Sequence, residues 1–119
     1  MTWVVEFHPD FDQEFEELSE EVQDSIRIYA SLLEKLGPFM ERPHVGTLHG
    51  SRFKNMKELR FDASDGVWRV AFAFDPKRRA IFLVAGDKSG GSQDRFYRQL
   101  LARADERFVS HLSHLTKRS

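Results

Sequence analysis

The stretch Lys57-Glu58-Leu59-Arg60-Phe61-Asp62-Ala63-Ser64-Asp65-Gly66-Val67-Trp68-Arg69-Val70-Ala71-Phe72-Ala73-Phe74 decides the fold. Lys57 to Asp62 alternates, with Leu59 and Phe61 on one face and Glu58 and Arg60 on the other. A period of two marks a strand, because successive side chains leave the pleat on opposite sides. Asp65-Gly66 is a turn signal. Val67 to Phe74 then alternates again, with Trp68, Val70, Phe72 and Phe74 on one face and Arg69, Ala71 and Ala73 on the other. Two strands joined by a tight turn make an antiparallel pair.

Working outward, Asp75-Pro76 turns the chain once more, and Ala80 to Ala85 is apolar throughout, as in a strand covered on both faces. Beyond the glycine-containing loop GDKSGGSQDRFYRQ, a last helix is predicted from about Gln93. Its buried side is Phe96, Leu100, Ala104, Phe108, Leu112 and Leu115. Upstream, residues 38–56 show little periodicity and read as a loop. Before them, Val22, Ile26, Tyr29, Leu33 and Leu36 form a helical stripe that Ser19 can cap and Gly37-Pro38 ends. Pro9 suits the first position of a shorter helix bearing Phe11, Phe15 and Leu18, and Thr2 to Phe7 is a short opening strand. The order β-α-α-β-β-β-α predicts an α+β fold in one domain, residues 1–119: a helical hairpin and a C-terminal helix on a small curved antiparallel sheet.

Composition narrows the function. The chain has 119 residues and no cysteine, which excludes disulfides, thiolate metal sites and a thiol nucleophile. Met1 to Phe7 lacks a basic region followed by a long apolar run, so no secretory signal is expected, and Ala80 to Ala85 is too short to cross a membrane. A cytoplasmic protein fits both. Net charge is −1, but the sum hides a division. Residues 1–36 hold ten acidic and two basic side chains, and residues 37–119 hold sixteen basic and nine acidic. Such asymmetry fits one acidic and one basic surface, the basic one suited to a phosphate backbone.

Arg69 is the most informative residue. With Ala71 and Ala73 beside it, it is expected to stand in a shallow concave surface, where a guanidinium can hold phosphate bidentately. Arg60 on the neighbouring strand and Lys88 at the end of the last strand can join it in a clamp. The competing reading pairs Arg69 and Arg60 with Glu58 and Asp62 on a solvated sheet face. Tyr97, in Arg95-Phe96-Tyr97-Arg98, offers a ring for base stacking or a phenol for proton transfer among cations that can lower its pKa. It reads equally as a half-buried helix-edge tyrosine. The histidines do not form a metal set: His44 and His49 lie in an irregular loop, and His111 and His114 lack a third ligand.

Four segments in order resemble the RelE/ParE toxin superfamily, closest to its phage-derived HigB-like branch. They are His8-Pro9-Asp10-Phe11 after the opening strand, Lys57-Glu58-Leu59-Arg60, Trp68-Arg69-Val70-Ala71-Phe72 and Ile81-Phe82-Leu83-Val84-Ala85-Gly86-Asp87-Lys88. The resemblance covers about residues 2–108. It implies a toxin held by a small antitoxin, often of helix-turn-helix type, whose active members enter the ribosome and cleave mRNA without a cofactor. It implies that Arg69 holds the scissile phosphate, that Arg60 and Lys88 add positive charge, and that Tyr97 is the catalytic tyrosine if Gly90-Gly91 is an insertion. Lys54, Lys57, Arg95 and Arg98 are then RNA contacts. The chain departs from RelE at Glu58, where that toxin carries a lysine, and in its longer C-terminal helix. The leading function is therefore a ribosome-dependent endoribonuclease that stops translation. The alternatives are a ParE-like gyrase inhibitor that works by binding protein, or an inactive homologue that titrates an antitoxin.

Overall fold

The hairpin read from residues 57–74 is the centre of the structure, a computed structural model that describes residues 2–118. In chain order the elements are β1 (Val4–Phe7), α1 (Pro9–Phe15), α2 (Glu20–Leu36), β2 (Val45–Thr47), β3 (Met56–Ala63), β4 (Gly66–Phe74), β5 (Arg79–Asp87) and α3 (Gln93–Arg118). The strands form a single sheet in the order β1-β5-β4-β3-β2.

The turn between β3 and β4 sits one residue earlier than Asp65-Gly66. Ala63 pairs with Gly66, and Ser64 and Asp65 occupy the left-handed region at φ 50° and 61°. Asp65 tolerates that conformation, and the Glu21 carboxylate secures Ser64 by accepting from its amide at 2.8 Å. Gly66 is needed for a different reason: a Cβ there would lie 2.7 Å from the Trp68 indole nitrogen and 2.8 Å from an Asp87 oxygen.

Each face of the sheet carries its own core. Leu59, Phe61, Val70, Phe72 and Phe82 meet α1 and α2 through Phe11, Phe15, Val22, Ile26 and Leu33. On the other face Met56, Ala71, Ala73, Ile81 and Leu83 meet Leu100, Ala104 and Phe108 of α3. The double coverage explains why β5 is apolar from Ala80 to Val84. The helix starts match their sequence signals. Pro9 opens α1 with His8 as its cap, and the Ser19 hydroxyl accepts from the Val22 amide at 3.3 Å.

Three expectations need correction. The segment 38–56 contains β2, whose three residues pair with Lys57–Leu59; so short a strand has no alternation to read, and its pairing comes from β3. The sheet is antiparallel from β2 to β5, but β1 joins β5 in parallel, Val4 beside Arg79 and Phe7 beside Phe82. That partner lies far along the chain, outside the reach of local pattern. Leu36, placed in the apolar stripe of α2, is the helix's last residue and is 45% exposed. No helix among the described residues is long and apolar enough to cross a membrane.

Two polar locks hold α3 down. A register shift between β4 and β5 pairs Ala71 with Val84 and Phe72 with Phe82. The Leu83 carbonyl at this bulge accepts from Arg107 Nη1 at 2.8 Å, while the same guanidinium grips Glu14 of α1. Further along, the fully buried Asp75 carboxylate accepts from Arg79 Nε at 3.1 Å and is bonded to His111 Nε2 at 2.8 Å. Burial alone would raise the Asp75 pKa, but the hydrogen bonds from His111 and Arg79 outweigh it and hold the carboxyl below its ordinary 3.8. The native state therefore gains stability from Asp75 above the unfolded-state pKa and loses it as pH falls through the native one. Asp75→Asn should lower unfolding free energy at neutral pH by about 3–5 kcal/mol and flatten its dependence below pH ~4. Chemical denaturation across that range checks both, and an unchanged midpoint with an unchanged acid slope contradicts the lock.

Candidate functional site

The site forms where the start of α3 crosses the ends of β3, β4 and β5. Gly86, beside Arg69 in the β4–β5 register, sets the approach: a Cβ there would come within 2.8 Å of the Phe96 ring. With Phe96 seated against that bare backbone, the next residue, Tyr97, is carried over β4. Asp87 shapes the exit from β5 by accepting from the Val67 and Ser89 amides at 3.0 and 2.9 Å. Lys88 follows at once, its amide bonded to the Val67 carbonyl and its ammonium 5.9 Å from the centre of the Tyr97 ring.

The side chains converge on Glu58. Its Oε1 lies 3.2 Å from Arg69 Nε, 2.9 Å from the Tyr97 hydroxyl and 3.7 Å from Arg60 Nε. Arg69 Nε also donates to the Tyr97 oxygen at 3.3 Å, and its Nη1 donates to the Trp68 carbonyl at 2.8 Å. The Arg69 and Glu58 side chains are 8% and 11% exposed, so their ion pair is largely withdrawn from water, whereas Arg60 keeps 32%. One carboxylate, one phenol and three cations thus share a small patch at the rim of the sheet.

The four residues expected in the chemistry, Arg69, Arg60, Lys88 and Tyr97, are brought together. Their surroundings differ from expectation in three ways. Arg69 does not stand in an open concavity: Ala71 and Ala73 are small because α3 packs on them, and Arg69 itself is buried. The competing ion-pair reading holds for Glu58 but not for Asp62, which makes no contact with either arginine. Nor do the cations lower the Tyr97 pKa. Burial raises it above 10.0, and the Glu58 carboxylate pushes the same way, while the Arg69 hydrogen bond opposes only in part. The phenol stays protonated at neutral pH and serves as a donor.

Of the flanking cations, Arg95 and Arg98 are exposed on the first turns of α3 either side of Tyr97, and Lys54 is exposed just before β3. Lys57 points away: alternation turns it to the opposite face from Glu58, where it lines a hollow with Met40, Val45 and His49. Glu58 is the residue whose part in the site the sequence did not reveal: it read as an ion-pair partner on a solvated face and as a departure from RelE. The available signal was its position, two residues before Arg60 on the same strand face. Among the described residues no group of three or more His, Asp or Glu side chains gathers at metal-binding spacing.

A five-stranded sheet with helices on both faces places the chain in the class of RelE-like α+β folds. The solved structure of a double arginine-to-alanine mutant of the E. coli toxin RelE in the free state superposes with a TM-score of 0.65, covering 90% of this chain and 98% of that one at 13% identity. Residues 13–109 match the family described as Phage derived protein Gp49-like (DUF891). The chain is 40% identical over 105 residues to the putative toxin HigB3 of Mycobacterium tuberculosis, covering 88% of this chain and 90% of that protein. It is 43% identical over 98 residues to the putative toxin HigB2 of the same organism, covering 81% of this chain but only 48% of that longer protein. The chain belongs to this Gp49-like, HigB-type family and has the RelE fold.

The geometry makes the Tyr97 phenol a spectroscopic reporter. The chain has only two tyrosines, so the ultraviolet titration of Tyr97 is isolated by subtracting that of Tyr97→Phe. Its midpoint should lie above the ordinary tyrosine value and fall in Glu58→Gln, which removes the carboxylate and leaves Arg69 beside the phenol. A midpoint below the ordinary value in the parent protein contradicts this account of the cluster.

Proposed function

We propose that the protein is the toxin of a type II toxin-antitoxin pair, and that it stops translation by cleaving mRNA on the ribosome. Family membership carries the toxin part, and with it an antitoxin partner. The cleavage reading rests on one observation: Glu58 and Tyr97 share a hydrogen bond within reach of Arg69, Arg60 and Lys88.

Cleavage of RNA through its own 2′-hydroxyl requires a base, a proton donor for the departing 5′-oxygen and positive charge around the phosphorane. Glu58 supplies the base: its carboxylate takes the 2′-hydroxyl proton as the 2′-oxygen bonds to phosphorus. Tyr97, kept neutral, gives its proton to the 5′-oxygen as the P–O bond breaks. The products are a 2′,3′-cyclic phosphate and a 5′-hydroxyl. The proton on Glu58 then returns to Tyr97 along the hydrogen bond that joins them, restoring both. Arg69 pairs with Glu58 and orients it, and Arg60 and Lys88, nearer solvent, face the phosphate. Messenger RNA enters along the exposed Arg95, Arg98 and Lys54.

Single-turnover cleavage on programmed ribosomes tests the assignment. Glu58→Gln keeps the shape and removes the base, so the rate should fall by about 10²–10⁴. Arg69→Ala should lose about 10²–10³. Messages cleaved by Glu58→Gln as fast as by the parent sink the base assignment, and protein synthesis undisturbed by folded parent protein sinks the ribosomal reading itself.

A further inference from the structure

α2 carries an apolar stripe that the core does not use. Of the six large hydrophobic side chains exposed among the described residues, three lie on this helix: Ile28, Leu32 and Leu36. Spaced by four, they share one side of α2, apart from the buried Val22, Ile26 and Leu33. The turn Gly37–Phe39 that follows adds Phe39, 83% exposed. Apolar side chains gathered in this way, rather than scattered singly, mark a contact surface.

Charge along the stripe runs from negative to positive. Glu21 precedes Ile28 by seven residues and Lys35 follows it by seven, two helical turns in each direction, so all three lie on the same side. Asp24 reinforces the negative end, where its pairing with Arg27 at 3.0 Å is exposed to solvent. Glu21 spends part of its acceptor capacity on Ser64. Arg42, exposed beyond Phe39, reinforces the positive end.

A patch so arranged is complementary to itself. Two copies laid antiparallel about a twofold axis between Ile28 and Leu32 bring those side chains together at the centre. They also set Lys35 of each copy opposite the Glu21–Asp24 turn of the other. Parallel packing sets acid against acid, and a different helix rimmed only by basic residues leaves Lys35 and Arg42 facing like charge.

We propose that the protein forms a homodimer through α2, with the apolar stripes of two copies packed antiparallel and Lys35 of each paired with Glu21 and Asp24 of the other. α2 lies on the face of the sheet opposite α3, so both rim clusters stay outside the contact, and the dimer does not depend on what they do. A contact confined to one helix and its following turn falls at the small end of specific interfaces, about 1,200 Å² in total, with a dissociation constant on the order of micromolar.

Sedimentation velocity of the purified chain between about 1 and 200 μM reads the association directly. The mass should rise from 13.9 kDa toward twice that value. Leu32→Asp changes an exposed position, so the monomer should keep its circular dichroism, while a carboxylate in the apolar contact should weaken the dimer by about tenfold or more. Lys35→Glu and Asp24→Lys should each weaken it by roughly threefold to tenfold. Mixing these two variants should restore association, because each then meets opposite charge at both ends of the stripe. A parent that stays monomeric throughout, or a dimer that Leu32→Asp leaves intact, overturns the proposal. Charge variants whose mixture is as weak as either alone overturn the antiparallel arrangement. A monomeric parent whose binding to an antitoxin weakens in Leu32→Asp assigns the stripe to that partner and overturns the dimer.

Discussion

A glutamate nearly closed off from solvent has to be matched by positive charge, and the Glu58–Arg69 pair meets that demand at 3.2 Å. Withdrawing two charges from water is costly, and the cost is recovered only where further hydrogen bonds complete the geometry. Tyr97 donates to the carboxylate and accepts from Arg69, and the Trp68 carbonyl takes another guanidinium proton. Removing any one member leaves a partly buried polar group without its partner. The cluster is thus a single unit, and the elements around it are arranged to deliver its members from three separate parts of the chain.

That delivery depends on how α3 lies across the sheet. Small side chains at Ala71, Ala73 and Gly86 let the helix come close, and Phe96 fills the space that Gly86 leaves. The Arg107 and Asp75–His111 contacts anchor the helix further along, well away from the cluster. The helices α1 and α2 cover the opposite face of the sheet.

Much of this was legible in advance because it is written in local periodicity. The alternation in β3 and β4, the continuous apolar run of β5, the Ser19 cap and Pro9 at the first position of α1 each reflect one residue's neighbours along the chain. β1 joined in parallel to β5 and the three-residue β2 were not legible, because their partners are distant and their own sequences too short. The site shows the same limit. Arg69, Arg60, Lys88 and Tyr97 were identified by residue type and family resemblance, but burial, which reverses the expected direction of the Tyr97 pKa, is a property of the folded packing. Glu58 looked like a departure until α3 placed a phenol 2.9 Å from it.

The central claim is that Glu58 and Tyr97 act as one proton-transferring unit. A double-mutant cycle on single-turnover mRNA cleavage, using Glu58→Gln, Tyr97→Phe and the two together, tests it most directly. Residues that act as a unit are strongly non-additive, so the double variant should be about as slow as the slower single variant. Losses that simply multiply would show that the two side chains work independently, and would contradict the account.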